Sequence, residues 1–212
     1  MTAVDKWNKR YSGSELVWSK TANAELVRQV ADLEPGRALD LGSGEGRNAI
    51  WLARQGWHVS AVDFAEAGMT KARRLATANV VDKIEVSWIV SDVCQYVDEA
   101  GFDLVVISYL HTSKSERDRW LPGAINMVRP GGVFLYIGHD LKNITHGVGG
   151  PQVPELLPDV AEFEQLLSEF DVVSAGTVCR ERSAEIGHGV EYGRTNDKSK
   201  VALDCIVKAI RR

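Results

Sequence analysis

The spacing of apolar residues switches between helical and extended periods along the chain. Leu26, Val27, Val30 and Leu33 share one helix face, so Thr21 to Leu33 is expected to form an opening helix. Ala38 to Leu41 is a short apolar run that leads straight into glycines and reads as a strand. Ala49, Ile50, Leu52 and Ala53 predict a helix over Arg47 to Gln55, with Gly56 as its stop. His58 to Val62 reads as a second strand, and Glu66 to Asn79 as a helix with Lys71, Arg73 and Arg74 on its outer side. Ile84, Val86, Trp88 and Val90 alternate as in a third strand, and Phe102 to Ile107 is apolar apart from Asp103, which predicts a buried fourth. Ser115 to Val128 predicts a helix that Pro122 must kink or restart. Pro130-Gly131-Gly132 reads as a turn before a fifth strand, Val133 to Gly138. Asn143 to Pro158, rich in Gly and Pro, is an irregular loop of a length usually tied to function or disorder. A helix from Asp159 to Phe170 then leads to two closing strands, Val172 to Val178 and Val201 to Val207. The polar stretch between these two has no helical period, which predicts an antiparallel hairpin. The alternation implies an α/β fold with a doubly wound, mainly parallel sheet and ligands at the carboxyl ends of its strands.

Composition narrows the class. The 212 residues suit one domain, 21–212, preceded by a segment 1–20 that lies ahead of the first regular helix. Hydrophobic residues at 44% and charged residues at 25% are ordinary for a globular chain. The formal net charge of −4 argues against a dedicated nucleic-acid binder, which would carry a basic face. No apolar run approaches a membrane span, and the first residues lack the apolar core of a signal, so a cytoplasmic monomer or homodimer is expected. Cys94, Cys179 and Cys205 have no metal-type spacing and read as core thiols, with no metal site expected.

The strongest chemical signal is Asp40-Leu41-Gly42-Ser43-Gly44-Glu45-Gly46, between the first strand and the helix that follows it. Glycines there allow a tight turn and close approach of a ligand to the main chain. The dinucleotide fingerprint has a different spacing, G-x-G-x-x-G, and places a pyrophosphate at the helix start. Asp40 and Glu45 would repel that group, whereas carboxylates favour the cationic sulfonium and ammonium of S-adenosylmethionine. Asp63, at the end of the second strand, can accept from both ribose hydroxyls, and Phe64 can pack on the adenine. Asp92 ends the third strand and can accept from the adenine amino group. Asp63 and Asp92 also fit simple capping or turn acids.

The ordered set DLGSGEG, VDF, SDV, FDLVVISYLH and RPGG resembles the class I S-adenosylmethionine-dependent methyltransferases over nearly the whole chain. The words GEGRNAIWLA and WNKRY more narrowly resemble the tellurite-resistance and thiopurine methyltransferase-like branch. The resemblance implies a Rossmann-like sheet of seven strands whose last strand is antiparallel, and transfer of a methyl group to a small-molecule acceptor. By position it implies that Gly42, Ser43, Gly44 and Gly46 approach the methionine part of the cofactor. Asp63 would take the ribose, Asp92 and Val93 the adenine edge, and Ser108 the rim, with Arg47 reaching the cofactor carboxylate or standing as a solvated charge. It also implies that the N-terminal segment folds over the cofactor as a flap.

Trp7 and Tyr11 lie four apart, on one helix face, with Trp18 beyond them. They can pack on a core, or offer aromatic faces to the sulfonium by cation–π attraction. His111 follows the fourth strand and His139 the fifth, at the edge where ligands bind, and His146 lies in the next loop. Tyr109, His111, His139 and His146 are therefore expected to line an acceptor pocket under that loop, with His139 the first candidate for a proton acceptor and His111 the second. Asp140 adjoins His139, but neighbouring strand residues face opposite ways, so contact between them is not expected. The remaining alternatives are a nicotinamide-dependent oxidoreductase, a non-catalytic S-adenosylmethionine-binding protein, and a methyltransferase of macromolecules, whose Asn-Pro-Pro-aromatic motif is replaced here by Ser108-Tyr109-Leu110-His111. The first lacks its Tyr-x-x-x-Lys signature here, and the second would need no acceptor pocket.

Overall fold

The computed structural model describes residues 1–78, 84–180 and 201–212. Seven strands form one sheet: β1 (Arg37–Leu41), β2 (His58–Asp63), β3 (Val86–Val90), β4 (Phe102–Ser108), β5 (Val128–His139), β6 (Phe170–Arg180) and β7 (Ala202–Arg211). Their order is β3-β2-β1-β4-β5-β7-β6. β1 to β5 pair in parallel, and β7 runs antiparallel to both β5 and β6. This is the Rossmann-like arrangement with an antiparallel last strand. The last two strands pair as the expected hairpin; its connection, with His188, lies outside the described residues.

Period-two alternation sorts the side chains between two cores. Leu39, Leu41, Val105, Ile107, Phe134 and Tyr136 face one side, against Trp120, Leu121 and Phe163. Ala38, Leu104, Val106, Leu135 and Ile137 face the other, against Leu26, Val30, Ala49 and Leu52. The first core is closed by α5 (Lys114–Asn126), the second by α2 (Ala24–Val30) and α3 (Arg47–Arg54).

Several boundaries differ from the sequence expectation. α2 is shorter than Thr21 to Leu33 because Asn23 caps it, accepting from the N–H of Leu26 at 3.0 Å. Pro122 neither ends nor restarts α5, which runs from Lys114 to Asn126 as one helix. Proline removes one N–H there, while Trp120, Leu121, Ala124 and Ile125 are buried on both sides of it and hold the helix to the sheet. Pro130-Gly131-Gly132 falls inside β5 as an irregularity: Phe102 pairs with Val128 and Leu104 with Val133, so the chain bulges between them. The helix expected over Asp159 to Phe170 is reduced to α7 (Ala161–Glu164) followed by turns.

The N-terminal segment forms α1 (Ala3–Tyr11), opened by a capping box between Thr2 and Asp5. It lies against α4 (Glu66–Thr77): the Asn8 side chain accepts from the N–H of Ala67 at 2.9 Å. The three cysteines are free thiols, and burial pushes Cys205 up to about 12. No described helix is long and apolar enough to cross a membrane.

Candidate active site

The glycine loop is a main-chain structure pinned to β2. Gly42 and Ser43 both donate to the carbonyl of Val62, at 2.8 and 3.0 Å. Gly44 donates to Oδ2 of Asp63 at 2.9 Å, and Oδ1 of Asp63 accepts from Ala65 at 2.8 Å. Gly42, Gly44 and Gly46 have φ of 78°, 56° and 76°, the left-handed region that glycine enters without strain. Gly46 also has a packing reason: a Cβ there would stand 2.6 Å from the Trp88 ring. Burial raises the pKa of Asp63, and the two backbone N–H groups only partly offset it.

The two other acids of the motif are not the open charges that the sequence suggests. Asp40 is fully buried beneath the loop, and burial raises its carboxyl to about 7, against the pull of the Ala49 N–H and the Arg47 charge. Glu45 pairs with Lys71 at 2.9 Å and accepts from the N–H groups of Val17 and Trp18. Its charge is spent on holding residues 17 and 18 against the loop. Asp63 and Glu45 both line the cavity beside the loop, and of the two Glu45 is the one already paired with a cation.

One cavity of about 180 Å³ runs from this loop to the ends of β4 and β5. Gly42, Ser43, Gly44, Arg47, Asp63 and Phe64 line one end. Trp7, Tyr11 and Trp18 cover it, while Val93 and Ser108 stand at its rim. Tyr109, His111 and His139 line the other end, with Gly150 and Pro151 of the following loop. Four expected residues fall outside. Asp40 and Gly46 lie behind the loop. Asp92 is exposed and turns Oδ1 to the N–H of Cys94 at 2.8 Å. His146 ends the short helix α6 (Asn143–His146), exposed and bonded to the Thr145 hydroxyl, so the structure does not bring it to the cavity.

The aromatic cover is internally bonded. Trp7 stacks on Tyr11 with ring centroids 5.4 Å apart, and the indole N–H of Trp18 donates to the Tyr11 hydroxyl at 3.1 Å. The cation over the Trp7 and Trp18 rings is Arg10, at 5.2 and 5.3 Å, so those faces already have a cationic partner. A Cβ on Gly44 would meet the Tyr11 hydroxyl at 2.8 Å.

The far end is built from side chains. Tyr109 adopts φ 55°, the one positive value outside glycine among the described residues, a strained position held where the chain leaves β4. Its hydroxyl donates to Oδ2 of Asp204 at 2.6 Å, and Nε of Arg180 donates to the same oxygen at 2.7 Å. Nδ1 of His139 lies 3.2 Å from Oδ1 of Asp204. The His111 ring stacks on His139 at 5.4 Å between centroids, 16° from parallel. Asp204 is buried, which pushes its carboxyl up, but the His139 contact and the Arg180 charge outweigh burial and hold it below the usual range. Asp140 does not reach His139; its carboxylate accepts from Lys142 and Thr177.

Sequence reading missed Asp204 and Arg180. Asp204 is the acid inside the otherwise apolar run ALDCIV, which was a usable hint. What brings it to His139 is strand register, His139 opposite Asp204 in the β5–β7 pair, and no local pattern encodes that.

The fold and this cavity define the class. Residues 38–132 match the model of a methyltransferase domain, and the seven-strand sheet with its antiparallel last strand is the Rossmann-like methyltransferase fold. S-adenosylmethionine is the cofactor of that domain. Among curated proteins, a demethylmenaquinone methyltransferase of Clavibacter sepedonicus is 30% identical over 133 residues, covering 62% of this chain and 51% of that protein. A tRNA (uracil(54)-C(5))-methyltransferase of Pyrococcus abyssi is 35% identical over 114 residues, covering 53% of this chain and 26% of that protein. The match thus spans about half of one relative and a quarter of the other. Among solved structures, magnesium protoporphyrin IX methyltransferase of Synechocystis PCC 6803, with bound SAH, superposes with a TM-score of 0.65 at 16% identity, covering 98% of this chain and 94% of that one. TehB of Haemophilus influenzae does so with 0.66 at 16% identity, covering 99% and 67%.

Proposed function

We propose that the protein transfers the methyl group of S-adenosylmethionine to a small-molecule acceptor. The observation that carries this reading is the single cavity joining the glycine loop and Asp63 to the Tyr109, His111 and His139 cluster. Two of the chain's own groups suit a polar ligand there: Asp63 has lone pairs left for ribose hydroxyls, and the buried hydroxyl of Ser108 has no hydrogen-bond partner among the described residues. Gly42, Ser43 and Gly44 give close main-chain approach, Phe64 and Val93 an apolar wall for the adenine, and Arg47 a half-buried cation for the cofactor carboxylate. Residues 1–20 act as a flap, supported by the Tyr11 approach to Gly44 and the Glu45 clamp on residues 17 and 18.

When bound, the cofactor supplies an electrophilic methyl carbon, and orientation in a dry pocket accounts for much of the rate of such a displacement. A hydroxyl or amine acceptor also needs its proton removed, and His139 is the group for that role, with His111 stacked beside it. Tyr109 shapes the acceptor end. The small-molecule reading is supported by the demethylmenaquinone and magnesium protoporphyrin IX relatives and by the absence of a net positive charge. The likeness to TehB, with the words WNKRY and GEGRNAIWLA, supports the tellurite-resistance and thiopurine-like branch.

Calorimetry with S-adenosylhomocysteine tests the cofactor half. Binding is expected in the micromolar range, on the order of −8 kcal/mol. Asp63→Ala should weaken it by about 1.5–3 kcal/mol, since hydrogen bonds to a charged acceptor are lost. Unchanged affinity in a folded Asp63→Ala protein would remove the ribose role.

A further inference from the structure

The His139 ring is held from several directions. His111 stacks on it, Tyr109 meets it edge-on at 5.2 Å, and Gly150 presses so close that a Cβ there would stand 2.7 Å from Nε2. Gly150 has φ 71°, so the loop can make this approach only with glycine at that position. Asp204 lies opposite His139 across the β5–β7 pair. Its Oδ2 is committed to Tyr109 and Arg180, which fixes the plane of the carboxylate. Its Oδ1 is buried, has no well-aligned hydrogen bond among the described residues, and stands 3.2 Å from Nδ1 of His139. The Asp204 carboxylate is an acceptor without a donor hydrogen of its own, so the contact is favourable when Nδ1 carries the hydrogen. Loose geometry of this kind in a ligand-free site commonly tightens when the site fills.

We propose that Asp204 is a positioning residue that holds His139 in the Nδ1–H tautomer, which makes Nε2 the atom that takes the acceptor's proton. This rests on the methyl-transfer reading above and deepens it. The acceptor's O–H or N–H bond breaks, its electron pair forms the bond to the methyl carbon, and its proton moves to Nε2. The pair of the broken carbon–sulfur bond stays on sulfur. The resulting imidazolium keeps its Nδ1–H against Asp204 and later returns the Nε2 proton to water. Arg180 and Tyr109 orient Asp204. Among the described residues, the other charged or titratable groups bearing on the cluster include His111, Arg47 through Tyr109 and Arg180, and Glu25 on the α2 side of Asp204.

The test is nitrogen-15 spectroscopy of the imidazoles in the histidine-labelled 212-residue chain, which has five histidines, with His139 assigned by His139→Gln. Spectra are taken above the imidazole titration, with and without S-adenosylhomocysteine. The expected result is an Nδ1–H, Nε2-unprotonated pattern for His139 in the wild-type protein. Asp204→Asn keeps the shape and can still accept from Arg180 and Tyr109 while turning its amide toward Nδ1. It should move His139 to the Nε2–H tautomer. An Nε2–H pattern in the wild-type protein overturns the proposal without needing any variant, and so does an identical His139 spectrum in a folded Asp204→Asn protein. Calorimetry separates this from the larger reading. If S-adenosylhomocysteine fails to bind the wild-type protein, the methyl-transfer reading falls whatever the tautomer. If Asp204→Asn shifts the tautomer but keeps cofactor affinity within about threefold, Asp204 acts on His139 and not through the cofactor site.

Discussion

At the glycine-loop end of the cavity, polar contacts run through the main chain. Gly42 and Ser43 are bonded to Val62, and Gly44 and Ala65 to one carboxylate, Asp63. At the histidine end they run between side chains from three strands and a strand end: Tyr109, His139, Arg180 and Asp204. The first end spans about twenty-five residues of sequence. The second joins Tyr109 to Asp204, 95 residues apart. A main-chain site depends on the fold and on glycine, so most side-chain changes near it should alter ligand affinity more than folding. A buried ionic cluster couples folding to the same residues that would do the chemistry.

Asp204→Ala tests that coupling hardest. It leaves the Arg180 guanidinium and the Tyr109 hydroxyl without their shared acceptor in a buried place. Stability should fall by about 3–5 kcal/mol in urea unfolding, at the level typical of breaking a buried ion pair, with the lower value favoured because Arg180 is 24% exposed and can reach water. Asp63→Ala, by contrast, should change folding by less than about 1 kcal/mol while weakening the cofactor. A loss below about 1 kcal/mol in Asp204→Ala would mean that the two ends do not differ in this way.

Asp40 carries the next effect, on the cofactor side. Its folded carboxyl titrates near 7 because of burial, against an unfolded value of about 3.9. The folded state therefore holds this proton more tightly. The stabilising contribution is complete below about pH 4 and lost as pH rises through about 7. Between pH 4 and pH 8 the wild-type protein should lose about 2–4 kcal/mol more than Asp40→Asn, read from urea midpoints at each pH. Parallel curves for the two proteins would place Asp40 in a better-solvated setting than its burial implies.

The same contrast explains what could be read from the amino acids alone. The loop Asp40 to Gly46, Asp63 and Phe64 were legible because each sits where a strand ends, and strand ends are marked locally by apolar runs that stop at Gly or Asp. The sheet of seven strands was legible for the same reason. Tyr109, His111 and His139 were legible as positions at the carboxyl edge of the sheet, but not their geometry. Asp204 and Arg180 were not legible as site residues, because the register of β7 against β5 and β6 depends on packing of the whole sheet. His146 was misplaced for a related reason: a Gly-rich loop carries no signal for the short helix that turns its ring outward. Glu45 looked like a free charge because its partners, Lys71 and the main chain of Val17 and Trp18, lie 26 to 28 residues away.

The smallest expected effect concerns the seam between the N-terminal segment and the loop. The Tyr11 hydroxyl accepts from the Trp18 indole at 3.1 Å, in a residue only 4% exposed. Tyr11→Phe keeps the ring stacked on Trp7 and removes that one acceptor. A neutral hydrogen bond of this kind contributes about 1 kcal/mol net. Because the bond joins α1 to Trp18 and not to the sheet core, its loss should appear as local opening of residues 1–20 with little change in global unfolding. An opening free energy lower by about 1 kcal/mol makes the open form about fivefold more populated. Limited proteolysis between Ser12 and Glu15, under conditions where opening is fast relative to cleavage, should then run about fivefold faster in Tyr11→Phe. Saturating S-adenosylhomocysteine should slow cleavage in both proteins if residues 1–20 are the proposed flap, since a ligand beneath them would bind the closed form. Equal rates in the two proteins would assign the closure to the Glu45 clamp on Val17 and Trp18. Rates unaffected by the ligand would separate the segment from the cofactor site altogether, leaving the glycine loop to hold the cofactor through its main chain alone.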